Sequence, residues 1–236
     1  MNFVVFDLEF NSLLPPVKSS QWDSSPPQVI CAALVTSSLV PNVYVSADTK
    51  LYDDVCSLDM LKKFVNELYS FHLRNFSIVT WGGCSGDWRV LMQTFPQDPR
   101  IEEMMLASID IPLASSCYTG MMMSLASASM AIGMGGKAAK DSAHIPDRWR
   151  TGQQEAVIGR VISDVIATYK VYETLIHQQK LVWMTSKGTM RCWRLSRNEP
   201  INVESCLHIP VFNSPYVQTI TSKTILSWYP VNKILV

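Results

Sequence analysis

A net charge of either sign is missing from the 236-residue sequence, which holds 20 lysines and arginines and 20 aspartates and glutamates. Overall charge therefore gives no argument for a nucleic-acid or membrane partner. The charges are nevertheless unevenly placed: residues 1–60 hold seven acidic and two basic side chains, whereas residues 174–198 hold five basic side chains and no acidic one. Charged residues make up only 17% of the chain and hydrophobic residues 47%. This composition supplies a buried core and excludes general disorder.

Paired cysteine motifs and a basic leader are also missing. The six cysteines form no C-x-x-C pair, which indicates reduced thiols in a cytosol-like compartment. The first ten residues, MNFVVFDLEF, hold two acids and no basic segment, so they predict a strand and not a signal peptide. From these patterns we expect a cytoplasmic protein.

One uncharged stretch, between Asp110 and Lys137, is long enough to span a bilayer. Pro112, four glycines and many serines make it too polar for a membrane span. We therefore predict helix buried through small-residue contacts, and no membrane segment.

Hydrophobic spacing predicts an α/β protein. Strands are indicated at residues 3–10, 29–36, 43–47 and 76–81, and the first three form an antiparallel meander. Helical spacing covers residues 58–73, 87–94 and 153–179. After residue 180 the composition changes to short strand-like segments. We place a domain boundary there, with a domain at 1–180 and a small β-rich C-terminal extension at 181–236.

Asp7 and Glu9 are the first candidate site residues. Side chains two positions apart on a strand point to the same face, and two carboxylates on an apolar strand repel each other and resist desolvation. A divalent cation removes both problems, although a pair of exposed acids on an edge strand would explain the same pattern. Asp87 follows a glycine-rich turn after the fourth strand, and Asp164 lies on the last long helix.

These segments resemble the three motifs of the DEDD superfamily of 3′–5′ exonucleases. The first is VVFDLEF around Asp7 and Glu9, the second is TWGGCSGDWRVL around Asp87, and the third is SDVIATYKVY around Asp164. The closest resemblance is to stand-alone relatives of the proofreading domain of family-B DNA polymerases, and it covers residues 1–180. It implies a ribonuclease H-like fold, with a mixed five-stranded sheet flanked by helices.

The resemblance also implies two-metal phosphodiester hydrolysis at single-stranded DNA or RNA 3′ ends. Two divalent cations, Mg²⁺ or Mn²⁺, would lie between the four acids, with Asp7 bridging both. Glu9 and Asp164 would support the metal that activates water, and Asp87 would hold the other metal through water. A replication or repair protein is the partner class that the resemblance implies. The sequence does not choose between DNA and RNA, and it gives no oligomeric state.

The sequence departs from the family at one point. Family members carry tyrosine or histidine four or five residues before the last aspartate, where this chain has Arg160 and Gly159. Arginine stays protonated, so it is no general base. Three explanations are open: His144 serves as the base, the metal alone activates water, or the protein binds a nucleic-acid end without cleaving it.

Further residues are candidates for nucleic-acid contact. Phe10 and Asn11 follow the first motif. In the resembled family, the residues at these positions line the pocket for the 3′-terminal nucleotide. The segment 137–152 predicts an exposed basic loop whose cations and tryptophan suit a single strand, although a solvated charged loop is the alternative. Arg160 could contact a phosphate, and Arg191 lies on a second basic segment that a hairpin balanced by the acidic N-terminal region would also explain. The nucleic-acid-binding candidates are Phe10, Asn11, Lys137, Lys140, Arg148, Trp149, Arg160 and Arg191.

The leading hypothesis is thus a metal-dependent 3′–5′ exonuclease. A catalytically weakened nucleic-acid-binding or interaction module on the same fold is the alternative, favoured by the Gly159–Arg160 departure. A third interpretation, an unrelated α/β protein with incidental acids, requires that the four carboxylates do not converge.

Overall fold

A computed structural model describes residues 2–16, 18–45, 55–134, 143–185, 187–196, 201–209 and 226–229. The strands are β1 (Phe3–Phe10), β2 (Val29–Val35), β3 (Asn42–Val45), β4 (Ser77–Thr80), β5 (Ile109–Asp110), β6 (Lys180–Met184) and β7 (Met190–Arg194). The helices are α1 (Gln21–Ser24), α2 (Leu58–Leu73), α3 (Asp87–Thr94), α4 (Pro99–Ala107), α5 (Ile111–Thr119), α6 (Leu125–Ala131), α7 (Ile145–Arg150), α8 (Gln154–Gln178) and α9 (Val203–His208).

Five strands form a mixed sheet in the order β3-β2-β1-β4-β5. The β1–β2 and β2–β3 pairs are antiparallel, as the predicted meander requires, whereas β4 and β5 join in parallel. Because β1 is central and covered on both faces, its side chains are almost all buried. The predicted α/β class with a mixed five-stranded sheet flanked by helices is therefore confirmed.

Aromatic side chains on β1 join the sheet to its helices. Phe6 lies edge-on to Phe64 of α2 and to Trp88 of α3. On the other face Phe3 stacks on Tyr169 of α8, with a distance of 4.4 Å between ring centroids. This packing holds α8 across the sheet, and α8 carries Asp164.

The described residues after 180 pack on the rest of the chain. The strands β6 and β7 form a separate two-stranded ribbon whose Leu181, Trp183 and Trp193 lie in the same core as β1. Helix α9 follows the ribbon, and Val203 donates its backbone N–H to Ser108 O at 2.8 Å. The division at residue 180 stays a prediction. In the described part of the chain, no helix combines the length and the apolarity that a bilayer crossing needs.

Candidate metal centre and its cavity

Asp7 and Glu9 lie on one face of the central strand. Their strand neighbours on β2 are Ala33 and Cys31, and a register shift follows Glu9 before Phe10. Such a bulge twists a strand and redirects the side chains beside it. The period of two in β1 thus presents two carboxylates side by side, as the sequence predicts.

Asp164 joins this pair from helix α8. Carboxylate oxygens of Asp7, Glu9 and Asp164 all lie within 4.8 Å of one another. Clustered carboxylate oxygens are the donor set that a hard divalent cation such as Mg²⁺ prefers. The three acids therefore fit a divalent cation by donor chemistry and by spacing.

Asp87 opens helix α3 and lines the same cavity as the other three acids. Burial raises the pKa of Asp87 well above its usual range, and the neighbouring Glu9 and Asp110 raise it further. Burial likewise raises the pKa of Asp7, with added repulsion from Asp87, Glu9 and Asp164. The four acids thus converge on one partly desolvated site. This convergence argues against the interpretation of an unrelated α/β protein with incidental acids.

Arg160 lies inside this acidic group. It precedes Asp164 by one helical turn, so both side chains lie on the same face of α8. Its Nε donates to Glu9 Oε1 at 3.2 Å and lies 3.5 Å from Asp164 Oδ2. The guanidinium also lowers the pKa of Asp7 against the larger effects that raise it. Arg160 therefore partly neutralises the negative charge of the cluster through these ion pairs.

A glycine turn stabilised by Asp110 positions Asp87. Gly82 has a φ of +79°, a left-handed conformation that favours glycine, and residues 83–85 form one 3-10 turn before α3. Asp110 Oδ1 accepts the backbone N–H of Gly82 and Asp110 Oδ2 that of Cys84. The same carboxylate caps α5 by accepting the N–H of Leu113. Asp110 thus links the turn before Asp87 to the start of another helix.

A cavity of about 590 Å³ opens over the acids. Apart from the acids and Arg160, its walls are mainly apolar or small: Leu8, Phe10, Ser12, Leu13, Leu14, Trp81, Gly82, Ser124, Leu125, Ala126, Ser129, Ala143, Ile145, Pro146 and Thr168. The Oγ of Ser129 is buried, and it has no hydrogen-bond partner among the described residues. Ligand sites in proteins commonly combine apolar walls with a few polar groups in 300–1,000 Å³.

A second, more polar cavity of about 530 Å³ adjoins the first through Ser12 and Pro146. Asn11 and Arg150 line it, and Arg150 donates from Nη2 to the Asn11 carbonyl at 3.1 Å. Phe10 lines the first cavity. The two residues that follow the first motif thus lie where a molecule bound over the acids would extend.

The prediction of an exposed loop over 137–152 is wrong for residues 145–150. These form helix α7, which can begin here because proline fits the first turn of a helix. The helix buries Ile145, Pro146 and Trp149, and Ile145 and Trp149 belong to the hydrophobic core. Trp149 is 3% exposed, so its indole has almost no face left for a base to stack on. Arg148 is half-buried on the same helix.

The remaining candidates lie elsewhere. Lys137 and Lys140 fall outside the described residues. Arg191 is exposed on β7 and does not line either cavity described above. His144 is exposed at the start of α7, between two cavity-lining residues but not itself one of them.

Five residues at this site were not predicted from the sequence: Asp110, Leu13, Leu14, Trp81 and Ser129. The sequence could have predicted Asp110 as a helix N-cap, because an aspartate followed by a proline in the first turn is typical of that position. The others are ordinary apolar or small side chains in the sequence, and only the tertiary fold brings them to one cavity.

Comparison with known proteins supports the fold. No family model matches the sequence, and a search of curated proteins finds no match. Among solved structures, the chain is similar to the family B DNA polymerase from the hyperthermophilic archaeon Pyrobaculum calidifontis, with a TM-score of 0.54 and 14% sequence identity. The match covers 75% of this chain and 24% of the polymerase chain, so this chain corresponds to about a quarter of that protein. The likeness is one of fold.

Proposed function

We propose that this protein is a metal-dependent 3′–5′ exonuclease that removes nucleotides from single-stranded DNA or RNA ends. The observation that carries the proposal is the convergence of Asp7, Glu9, Asp87 and Asp164 on one cavity. Burial and the neighbouring acids raise the pKa of Asp7 and of Asp87, so gathering four carboxylates on one cavity is costly without a cation. Structural similarity to a DNA polymerase adds support for a role with nucleic acid.

Divalent cations at this site would supply Lewis-acid stabilisation and a lowered pKa for bound water. Asp7, Glu9 and Asp164 would hold them through the oxygens that lie within 4.8 Å of one another. Asp87 would complete the set from the start of α3.

The cavity supports the proposed substrate class. Its volume of about 590 Å³ suits a ligand of nucleotide size, and the half-buried Trp81 in its wall provides an aromatic face for a base. The adjoining cavity with Asn11 and Arg150 continues away from the acids and would accept the next part of the strand.

A catalytically weakened binding module is the second candidate function, and Arg160 favours it. Its guanidinium takes up oxygens of Glu9 and Asp164 that a cation would need. Arginine is also no substitute for the tyrosine or histidine base of the resembled family. On this alternative the chain binds a nucleic-acid end and leaves it intact.

A cleavage assay separates the two. Single-stranded DNA and RNA, labelled at the 5′ end, are incubated with Mg²⁺ or Mn²⁺ and with wild type, Asp7→Asn or Asp164→Asn. We expect loss of about 100-fold or more in rate for each variant, because each removes a ligand worth several kcal/mol of transition-state stabilisation. Asp59→Asn is the matched control, since that carboxylate is on the surface of α2 and pairs only weakly with Lys62 at 3.7 Å. Strand binding without cleavage by folded wild type would favour the binding module.

A further inference from the structure

The side chain of Arg160 lies against the carboxylates of Glu9 and Asp164, which are also candidate metal ligands. It is 24% exposed, and its two carboxylate partners are more buried still. The N–H bonded to Glu9 Oε1 at 3.2 Å points at the oxygen that would coordinate a cation at about 2.1 Å. A guanidinium and a second metal thus compete for the same oxygens.

The guanidinium cannot release these carboxylate oxygens by losing its proton, because arginine stays charged in proteins. Its planar fork and weak hydration make it well suited to a partly buried ion pair. Moving it out of the cluster would cost the ion pair with Glu9 and leave Asp164 without its neighbour one turn earlier on α8.

Charge balance gives the same result. Two divalent cations would neutralise the four acids if Arg160 were absent. With Arg160 in place, one divalent cation leaves a single negative charge, and a second would make the cluster positive before any substrate arrives. Ser129 also lines this cavity, and its buried Oγ has no hydrogen-bond partner among the described residues.

We propose that Arg160 occupies one of the two cation positions, so that this acidic cluster binds one divalent cation where the resembled exonucleases bind two. The inference rests on the proposed function, because it concerns the metal of the same site. It makes Arg160 a positioning residue that fixes the number of cations the cluster accepts.

Metal stoichiometry tests the proposal without any measurement of activity. The full chain is stripped with EDTA and titrated with Mn²⁺, by calorimetry and by the electron paramagnetic resonance signal of free Mn²⁺. We expect one ion per chain for wild type and two for Arg160→Gln. Arg160→Lys keeps the positive charge and should still bind one.

Arg74→Gln is the matched control, since it removes an arginine that packs on Phe71 and Phe76 at the end of α2. It should bind one ion, as wild type does. Arg160→Met is a second charge-removing variant in case Arg160→Gln does not fold, and circular dichroism checks each protein.

The outcomes separate the two proposals. Two ions bound by wild type would overturn this inference and leave the exonuclease proposal standing. No Mn²⁺ bound by folded wild type would overturn both. A single ion bound by wild type and also by both folded charge-removing variants would show that Arg160 does not set the count, and would overturn the inference.

Discussion

Asp110 Oδ2 accepts the backbone N–H of Cys84 at 2.8 Å across 26 positions of sequence. Cys84 lies in the turn that leads to Asp87. This bond therefore ties that turn to the end of β5 and helps to position Asp87, a candidate metal ligand. Burial raises the pKa of Asp110, and the backbone N–H groups of Cys84, Leu113 and Gly82 oppose that effect. The carboxylate is thus a structural part of the site.

Replacing Asp110 with asparagine should destabilise the protein by about 1–3 kcal/mol, because the amide turns a donor toward a buried backbone N–H. Urea denaturation measures the change in the free energy of unfolding. Asp59→Asn, at an exposed carboxylate, should change it by no more than about 0.5 kcal/mol. An Asp110→Asn variant as stable as wild type would show that the turn does not depend on this carboxylate.

Two glycines should respond in opposite directions to alanine. A Cβ at Gly83 would lie 2.8 Å from the buried Cβ of Thr80, so Gly83→Ala should cost about 1–3 kcal/mol. A Cβ at Gly159, inside α8, would meet nothing within 4 Å, so Gly159→Ala should stabilise by up to about 1 kcal/mol. Thermal unfolding of both variants checks the pair. Gly83→Ala equal to wild type, or Gly159→Ala less stable than wild type, would contradict the packing described.

The metal-free protein should lose stability as pH rises above about 4. Asp7, Asp87 and Asp110 have raised pKa values in the folded state, so above the unfolded value the folded chain holds more protons than the unfolded chain. Unfolding then releases protons, and the free energy of unfolding falls until pH exceeds the raised values. The lowered pKa of Asp98 acts in the opposite sense, but only below about 4.

Urea denaturation in EDTA between about pH 5 and about pH 8 measures this slope. Saturating Mg²⁺ should flatten it, since a cation stabilises the ionised acids. Asp7→Asn should flatten it in EDTA. A stability that rises with pH in EDTA would contradict the raised pKa values. A slope that Mg²⁺ leaves unchanged would contradict the assignment of Asp7 and Asp87 to a cation site.

One cysteine should react quickly with a thiol reagent in the native protein. Cys192 is exposed on β7, whereas the other five cysteines are buried. Burial raises the pKa of Cys56 to about 12 and that of Cys31 and Cys84 further, which removes the reactive thiolate at neutral pH. Native chain should show one fast thiol and denatured chain six. Cys192→Ser should remove the fast reaction, and a fast reaction that persists in this variant would contradict the burial of the other thiols.

The face shared by Asp7 and Glu9 could be predicted from sequence, because side chains on a strand alternate with a fixed period. The helical position of Asp164 followed from the apolar period of residues 153–179. Both depend on local geometry, which is encoded within a few residues.

The surroundings of these acids could not be predicted in the same way. Arg160 stays a candidate phosphate contact, but its ion pairs with Glu9 and Asp164 arise only because α8 packs across β1 and β2. Trp149 lies in a basic segment whose composition is typical of a binding loop, yet the short helix α7 buries its side chain. Asp110 reaches Cys84 only after β4 and β5 pair. Each of these outcomes depends on contacts between segments that are distant in sequence.

The direction of strand shortening tests the exonuclease account most directly. One oligonucleotide, prepared with a label at the 5′ end or at the 3′ end, is incubated with the full chain and Mn²⁺. The account predicts a ladder of progressively shorter 5′-labelled products, immediate release of the 3′ label as a mononucleotide, and neither with EDTA or Asp7→Asn. Release of the 5′ label first, cleavage at internal positions, or intact strands in the presence of folded protein and Mn²⁺ would contradict it.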